Sequence, residues 1–248
     1  MKPKRQNGKN FSEDLLKNHS AVVYTVDQSE RFRDMVVNSI RSLRTYNSEI
    51  DVLIINTGDS FFLPEAFQPL QQIRLKGLFH KFPDDKCLIG TLETYENLIY
   101  LDSDTFLVRD VSLLFSYACK SEIAARLSWT YQSSQWAQNY AEVWRQNLIT
   151  AGADYVPVFN SGVIVFQKYS HVRMYESWRK ILSMFHGGEL LPVYGGPRLF
   201  EQLAFSIATS KNYLSYILLD RNAHSYAWNH ELSSETIVFH TTSKWYDQ

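Results

Sequence analysis

Apolar residues recur along the chain in two periods. Residues 21–26, AVVYTV, are a short apolar run, and DVLIIN at 51–56 is another; each is sized for a strand covered on both faces. Between them Phe32, Met35, Val36, Ile40 and Leu43 return at helical spacing, with Ser29 as the N-cap. LPEAFQPLQQI reads as a short helix broken by Pro69, and residues 85–96 as a helix feeding the strand NLIYL. Further on, VSLLFSYA predicts a helix and EIAARL a strand. Trp136, Tyr140, Val143 and Trp144 mark one face of a helix over 134–149. Residues 155–167 read as a strand pair, or one strand bent at Gly162. A helix over SHVRMYESWRKILSMF, a glycine-rich loop, and a helix opened by Pro197 come next. YLSYILLD and TIVFH are the last strands.

Strand, helix, strand at this spacing is a right-handed parallel unit. With no internal repeat or low-complexity linker, the order predicts one α/β domain over 20–248, with a mostly parallel first half and a mixed second half. The start, MKPKRQNGKN, is basic and polar, and residues 1–19 read as a flexible tail rather than a signal peptide.

Composition narrows the class. A net charge of −1 gives no general attraction to nucleic acid or an anionic membrane, and no basic stripe is evident. No apolar run reaches the roughly 18 residues of a membrane span. Two cysteines, Cys87 and Cys119, permit one bridge but no disulfide framework and no zinc site, which fits a cytoplasmic location. The 15 Phe, 15 Tyr and 6 Trp fall mostly at core spacing, although aromatic faces also serve carbohydrate clefts.

The chemistry begins at LIYLDSDTFLV. An apolar strand ends in Asp102 and Asp104, one residue apart, so both carboxylates leave an extended chain on the same side. Ligands of open α/β sheets lie beyond such strand ends. Two like charges there are relieved by a cation, and hard oxygen donors suit Mg²⁺ or Mn²⁺ with places left for phosphate oxygens. A solvated Asp-Ser-Asp turn is the plainer alternative. His240 ends another apolar run and is either a third ligand or a strand-end histidine. Asn160, Ser161 and Gly162 interrupt an apolar strand with polar groups, as a bulge or as a place where a ligand approaches. Glu201 and Gln202 follow the glycine-rich loop, as a polar helix face or as groups turned on a substrate. The remaining histidines, His224 among them, show no ligand spacing.

LIYLDSDTFLV resembles the DxD motif of the GT-A nucleotide-sugar glycosyltransferases, especially the glycogenin-like enzymes of glycosyltransferase family eight. VVYTVDQSERF resembles their first strand and nucleoside turn, VFNSGVIVF their FNSGV strand, LFEQLAF their acidic-Gln element, and IVFHTTSKW their terminal His–Lys–Trp segment. Glu201 stands where Asp is commoner, and the last segment lacks the usual Gly and Pro. The resemblance spans residues 21–246. It implies a GT-A domain with a Rossmann-like central sheet, a nucleotide-binding half over 20–126 and an acceptor and sugar half over 127–248. It also implies transfer of a hexose from a nucleotide sugar, a UDP-hexose, to an acceptor it does not identify, with retention of configuration and with Mn²⁺ or Mg²⁺. Asp102, Asp104 and His240 would hold the metal. Tyr24, Thr25, Asp27, Lys86, Asp102, Ser103, Gly162 and Lys244 would bind the donor. Glu201, Gln202, Asn160 and Lys86 would act in catalysis. Two other readings stay open: a haloacid-dehalogenase-like phosphohydrolase, whose Asp-x-Asp-x-Thr is matched by LDSDT, and a sugar-nucleotide-binding protein without turnover.

Overall fold

The computed structural model describes residues 19–79, 84–119, 121–194, 196–227 and 232–241. The tail over 1–18, Lys244 and Trp245 lie outside them. A seven-stranded sheet forms the centre. Its strands are β1 (Ser20–Val26), β2 (Asp51–Asn56), β3 (Leu70–Arg74), β4 (Asn97–Leu101), β6 (Ile123–Leu127), β7 (Phe159–Phe166) and β8 (Tyr216–Leu218), in the order β3-β2-β1-β4-β7-β6-β8. Neighbouring strands are parallel except β7, which is antiparallel to both β4 and β6. A small second sheet contains β5 (Thr105–Leu107), β9 (His224–Tyr226) and β10 (Val238–His240), with β10 in the middle.

Both sheet faces are covered, which explains the unbroken apolar runs. On β1, Val22, Tyr24 and Val26 pack with Val36, Ile40 and Leu43 of α1 (Glu30–Tyr46). Ala21 and Val23 face the opposite layer, built around Trp178 of α5 (Ser170–His186) and Phe205 of α6 (Phe200–Lys211). Each aliphatic core side chain removed from water contributes about 1.5–3 kcal/mol, so neither face can be left open.

Several expected elements differ in form. Pro69 does not break a helix: a 3₁₀ turn over Glu65–Phe67 precedes it and the strand β3 follows. Residues 85–96 are not an α-helix but a 3₁₀ segment over Asp84–Thr91 leading into a turn. The segment from 134 divides at Tyr140 into α3 (Ser134–Asn139) and α4 (Ala141–Ala151). Pro197 sits in a 3₁₀ turn, and α6 begins at Phe200. α2 (Leu113–Ala118) occurs as expected. Gly162 does not end its strand: β7 runs through it, although residues 160–163 are opposed on β6 by Arg126 alone. Ser29 takes the N-cap position of α1 without a side-chain cap, and Phe32 is only half-buried whereas Ser39 joins the buried face. Cys87 and Cys119 are both free thiols. No described helix is long and apolar enough to cross a membrane.

Candidate active site

β4 and β7 run in opposite directions, so the end of one meets the beginning of the other. The Asp102 amide donates to the Gly162 carbonyl at 2.8 Å, which joins the aspartate turn to the FNSGV strand. The chain then reverses tightly: Thr105 returns both its amide and its hydroxyl to the Asp102 carbonyl, and β5 departs to the small sheet. β10 pairs with β5 so that His240 lies opposite Thr105, and Thr241 donates to the Asp104 carbonyl through amide and hydroxyl. The small sheet thereby carries His240 to the aspartates.

One donor atom from each of Asp102, Asp104 and His240 lies within 4.8 Å of the other two. His240 Nε2 is 3.1 Å from Asp104 Oδ1 and 3.9 Å from Asp102 Oδ2. Neighbouring ligands around an octahedral ion with bonds near 2.1 Å stand about 3 Å apart and opposite ones about 4 Å. The donor set, two carboxylate oxygens and an imidazole nitrogen, therefore fits a divalent cation of the Mg²⁺ or Mn²⁺ kind, with the nitrogen favouring Mn²⁺. Gly162 is required by the same packing. A β-carbon there would stand 2.2 Å from His240 Cε1 and 2.9 Å from Asp102 Oδ2.

Behind the cluster lies a buried ion network. Lys86, 1% exposed, reaches Asp102 Oδ1 at 2.9 Å and Glu201 Oε1 at 3.1 Å, and also donates to the Ser161 carbonyl and hydroxyl. Its ammonium is 4.8 Å from the centre of the Tyr100 ring. Tyr100 donates its hydroxyl to Asp102 Oδ1 at 2.6 Å and is itself 3.1 Å from the Thr25 hydroxyl. Ser161 donates to Glu201 Oε1 at 2.6 Å. Burial alone would lower the Lys86 pKa, but Asp102 and Glu201 outweigh it and raise it. Burial would raise Asp102, yet Lys86 and then His240 hold it below the ordinary carboxylate value. For Glu201 burial prevails over Lys86, and its pKa is raised. His240 is raised as well, because Asp104 overcomes the effect of burial. Three carboxylates face one ammonium across this region, an excess of negative charge that a divalent ion would balance.

Glu201 and Gln202 enter at the first turn of α6. Glu201 is buried, and its Oε2 has no hydrogen-bond partner among the described residues. Gln202 Oε1 accepts from Asn160 Nδ2 and the Ser161 amide, both at 3.4 Å, and its Nε2 donates to Ser128. Asn160 Oδ1 accepts from the Gly162 amide at 2.9 Å. The structure thus brings together Lys86, Asp102, Asp104, Asn160, Gly162, Glu201, Gln202 and His240. Ser103 is buried in the turn between the aspartates. Thr25 joins through Tyr100. Tyr24 does not join: its ring is fully buried on the α1 side, its hydroxyl meets Ser39 at 3.0 Å, and its backbone lies within β1 opposite Ile54 of β2. Asp27 is half-buried at the end of β1 and accepts from the Ser29 amide at 2.9 Å. Two contributors were not visible in the sequence. Tyr100 was read only as an apolar strand residue, and His224 stands with its Nε2 3.1 Å from His240 Nδ1.

No family model and no curated protein matches the chain. Among solved structures it is similar to the galactosyltransferase LgtC in complex with donor and acceptor sugar analogs, at 12% identity over 90% of this chain and 87% of that one, with a TM-score of 0.61. It is also similar to the apo form of the glycosyltransferase GlyE of Streptococcus pneumoniae, at 17% identity over 90% of this chain and 54% of that one, TM-score 0.59. Apo mouse xyloside xylosyltransferase 1 matches at 11% identity over 91% and 98%, TM-score 0.53. At these identities the likeness is one of fold, and the fold is that of the GT-A glycosyltransferases.

Proposed function

We propose that the protein is a metal-dependent glycosyltransferase that takes a hexose from a nucleotide sugar, UDP-linked, and passes it to an acceptor with retention of configuration. The observation that supports this most is the Asp102–Asp104–His240 cluster at the carboxyl end of β4, backed by buried Lys86, on a fold shared with glycosyltransferases. We place the chain beside glycosyltransferase family eight, whose motifs its sequence resembles. A divalent ion, when bound, would neutralise the departing diphosphate. Asp102, Asp104 and His240 would hold it. Lys86 fixes Asp102 in its charged form and adds positive potential at the rear of the site. Asp27, with the backbone of Tyr24 and Thr25, lies at the end of β1, the edge where a nucleoside would bind. Ser103 and Gly162 would border the diphosphate, with Lys244 as a further cation.

Asn160, Gln202 and Glu201 Oε2, which has no partner among the described residues, form the wall that would receive the sugar. A buried oxygen without a donor is costly, and a sugar hydroxyl would satisfy it. The test is a thermal-unfolding panel of UDP, GDP, ADP and inorganic phosphate with and without Mn²⁺. A ligand present at about 100 times its Kd should stabilise the fold by about 2.7 kcal/mol. UDP with Mn²⁺ should raise the unfolding temperature and UDP alone should not. Stabilisation by phosphate instead, with release of phosphate from phosphomonoesters, would replace the transferase with the phosphohydrolase reading.

A further inference from the structure

His240 has two ring nitrogens, and only Nε2 faces the carboxylates. The other, Nδ1, is 3.1 Å from Nε2 of His224, a residue with no place in the proposed reaction. The two rings are 19° from coplanar with centres 5.3 Å apart. A face-to-face stack would bring the centres to about 4 Å; these rings meet edge to edge, as an N–H···N bond requires.

His224 is itself held firmly. It is fully buried at the start of β9, where Arg126 donates to its carbonyl at 2.5 Å and the Tyr226 ring meets it edge-on at 4.8 Å. On β10, His240 lies opposite Tyr226 and Val238 opposite His224, so the two histidines are diagonal neighbours on adjacent strands.

From this geometry we infer that His224 is the positioning residue of the metal site: its Nε2 accepts the Nδ1 proton of His240, which fixes the ring and leaves the lone pair of His240 on Nε2, the nitrogen that faces the carboxylates. A ligand imidazole must present a lone pair, so its proton has to reside on the other nitrogen, and the partner of that nitrogen decides the tautomer. With the pair so arranged, the proton of His224 lies on its own Nδ1, a buried atom without a partner among the described residues. The opposite arrangement has His224 donating to His240 Nδ1 and His240 Nε2 donating to Asp104. Cation binding selects between the two. The inference rests on the metal reading of Asp102, Asp104 and His240.

The experiment uses the full chain and Mn²⁺ alone, titrated by electron paramagnetic resonance. It compares the parent with His224→Gln and His224→Asn. The glutamine side chain extends to the place of the histidine Nε2 and can accept from His240. The asparagine amide ends near the place of Nδ1 and cannot reach. Thermal unfolding without metal reports folding separately. His224→Asn should lose about 10- to 100-fold in Mn²⁺ affinity, and His224→Gln should stay within a few-fold of the parent. The role of His224 is overturned if both variants bind as the parent does, or if both lose affinity equally. A parent that leaves the Mn²⁺ spectrum unchanged overturns the metal reading itself, and the inference with it.

Discussion

Replacing Lys86 with methionine is a severe test of the buried network. The substitution keeps the apolar stem and removes the ammonium. Asp102 and Glu201 then face each other without their shared cation, each having stood about 3 Å from it. Lys86 is 1% exposed and Glu201 5%, so water reaches this network only from the side of Asp102, whose side chain is 28% exposed. Removing one partner of a buried pair costs about 3–5 kcal/mol. For a chain of this size that corresponds to a fall of about 6–20 °C in unfolding temperature. The loss should depend on pH in a defined direction. In the parent, Asp102 is held below its ordinary pKa, so its contribution is present above that value and fades as the pH falls. In the variant that contribution is absent, and Glu201, already raised, rises further. A carboxyl raised in the folded state favours folding at low pH and opposes it as the pH climbs. The deficit relative to the parent should therefore be larger at pH 8 than at pH 5. Adding Glu201→Gln should recover part of it. Calorimetry at both pH values is the assay. A deficit below about 1 kcal/mol, or one equal at both pH values, would refute the reasoning.

Substitutions elsewhere in the site have outcomes of their own. Gly162→Ala should displace His240 and Asp102, abolishing Mn²⁺-dependent UDP binding in a titration while the protein loses about 1–3 kcal/mol of stability to overpacking. His240→Ala should weaken Mn²⁺–UDP binding measured by paramagnetic resonance with the fold intact, and Asp104→Asn should do so more severely because it removes charge. Gln202→Ala should lower kcat for donor hydrolysis much more than it lowers UDP affinity by calorimetry, since its amide lies with Asn160 on the wall proposed to receive the sugar. Asp27→Ala should weaken UDP and reduce the preference over GDP and ADP in competition, because a carboxylate matched to one base is left unpaired by another.

How much of this was legible in the sequence follows from how local each cause is. The Asp-Ser-Asp turn could be read as a candidate site because an apolar run ending in two carboxylates one residue apart is a local pattern. β1, α1 and β2 were read correctly for the same reason, since their periods are set by neighbours a few residues away. β3 was misread as helix because its residues, LQQIR, are only partly buried and carry little apolar signal. β5 and β9 were missed altogether. Each has three residues, and each exists because β10 lies beside it rather than through its own propensity. That is also why His224 could not be recognised: its relation to His240 is a pairing of short strands. The clash at Gly162 likewise depends on a side chain 78 positions away, which no spacing rule reports. Tyr24 sits where the nucleoside edge was expected, but strand alternation turns its side chain into the α1 layer.

The reversal of β7 has a consequence for how the molecule breathes. From Ile164 to Phe166 this strand is paired on both sides and its apolar residues are wholly buried, whereas β8 at the sheet margin is exposed along its length. Amide protons of Val163, Ile164 and Val165 should exchange with solvent deuterium only through openings near the global unfolding limit. Those of Tyr216, Ile217 and Leu218 should exchange through small fluctuations. Asn160, Ser161 and Gly162 continue directly into the slow segment. The wall proposed to receive the sugar is thus joined directly to the part of the chain that opens least often, and it lies away from the margin that fluctuates most.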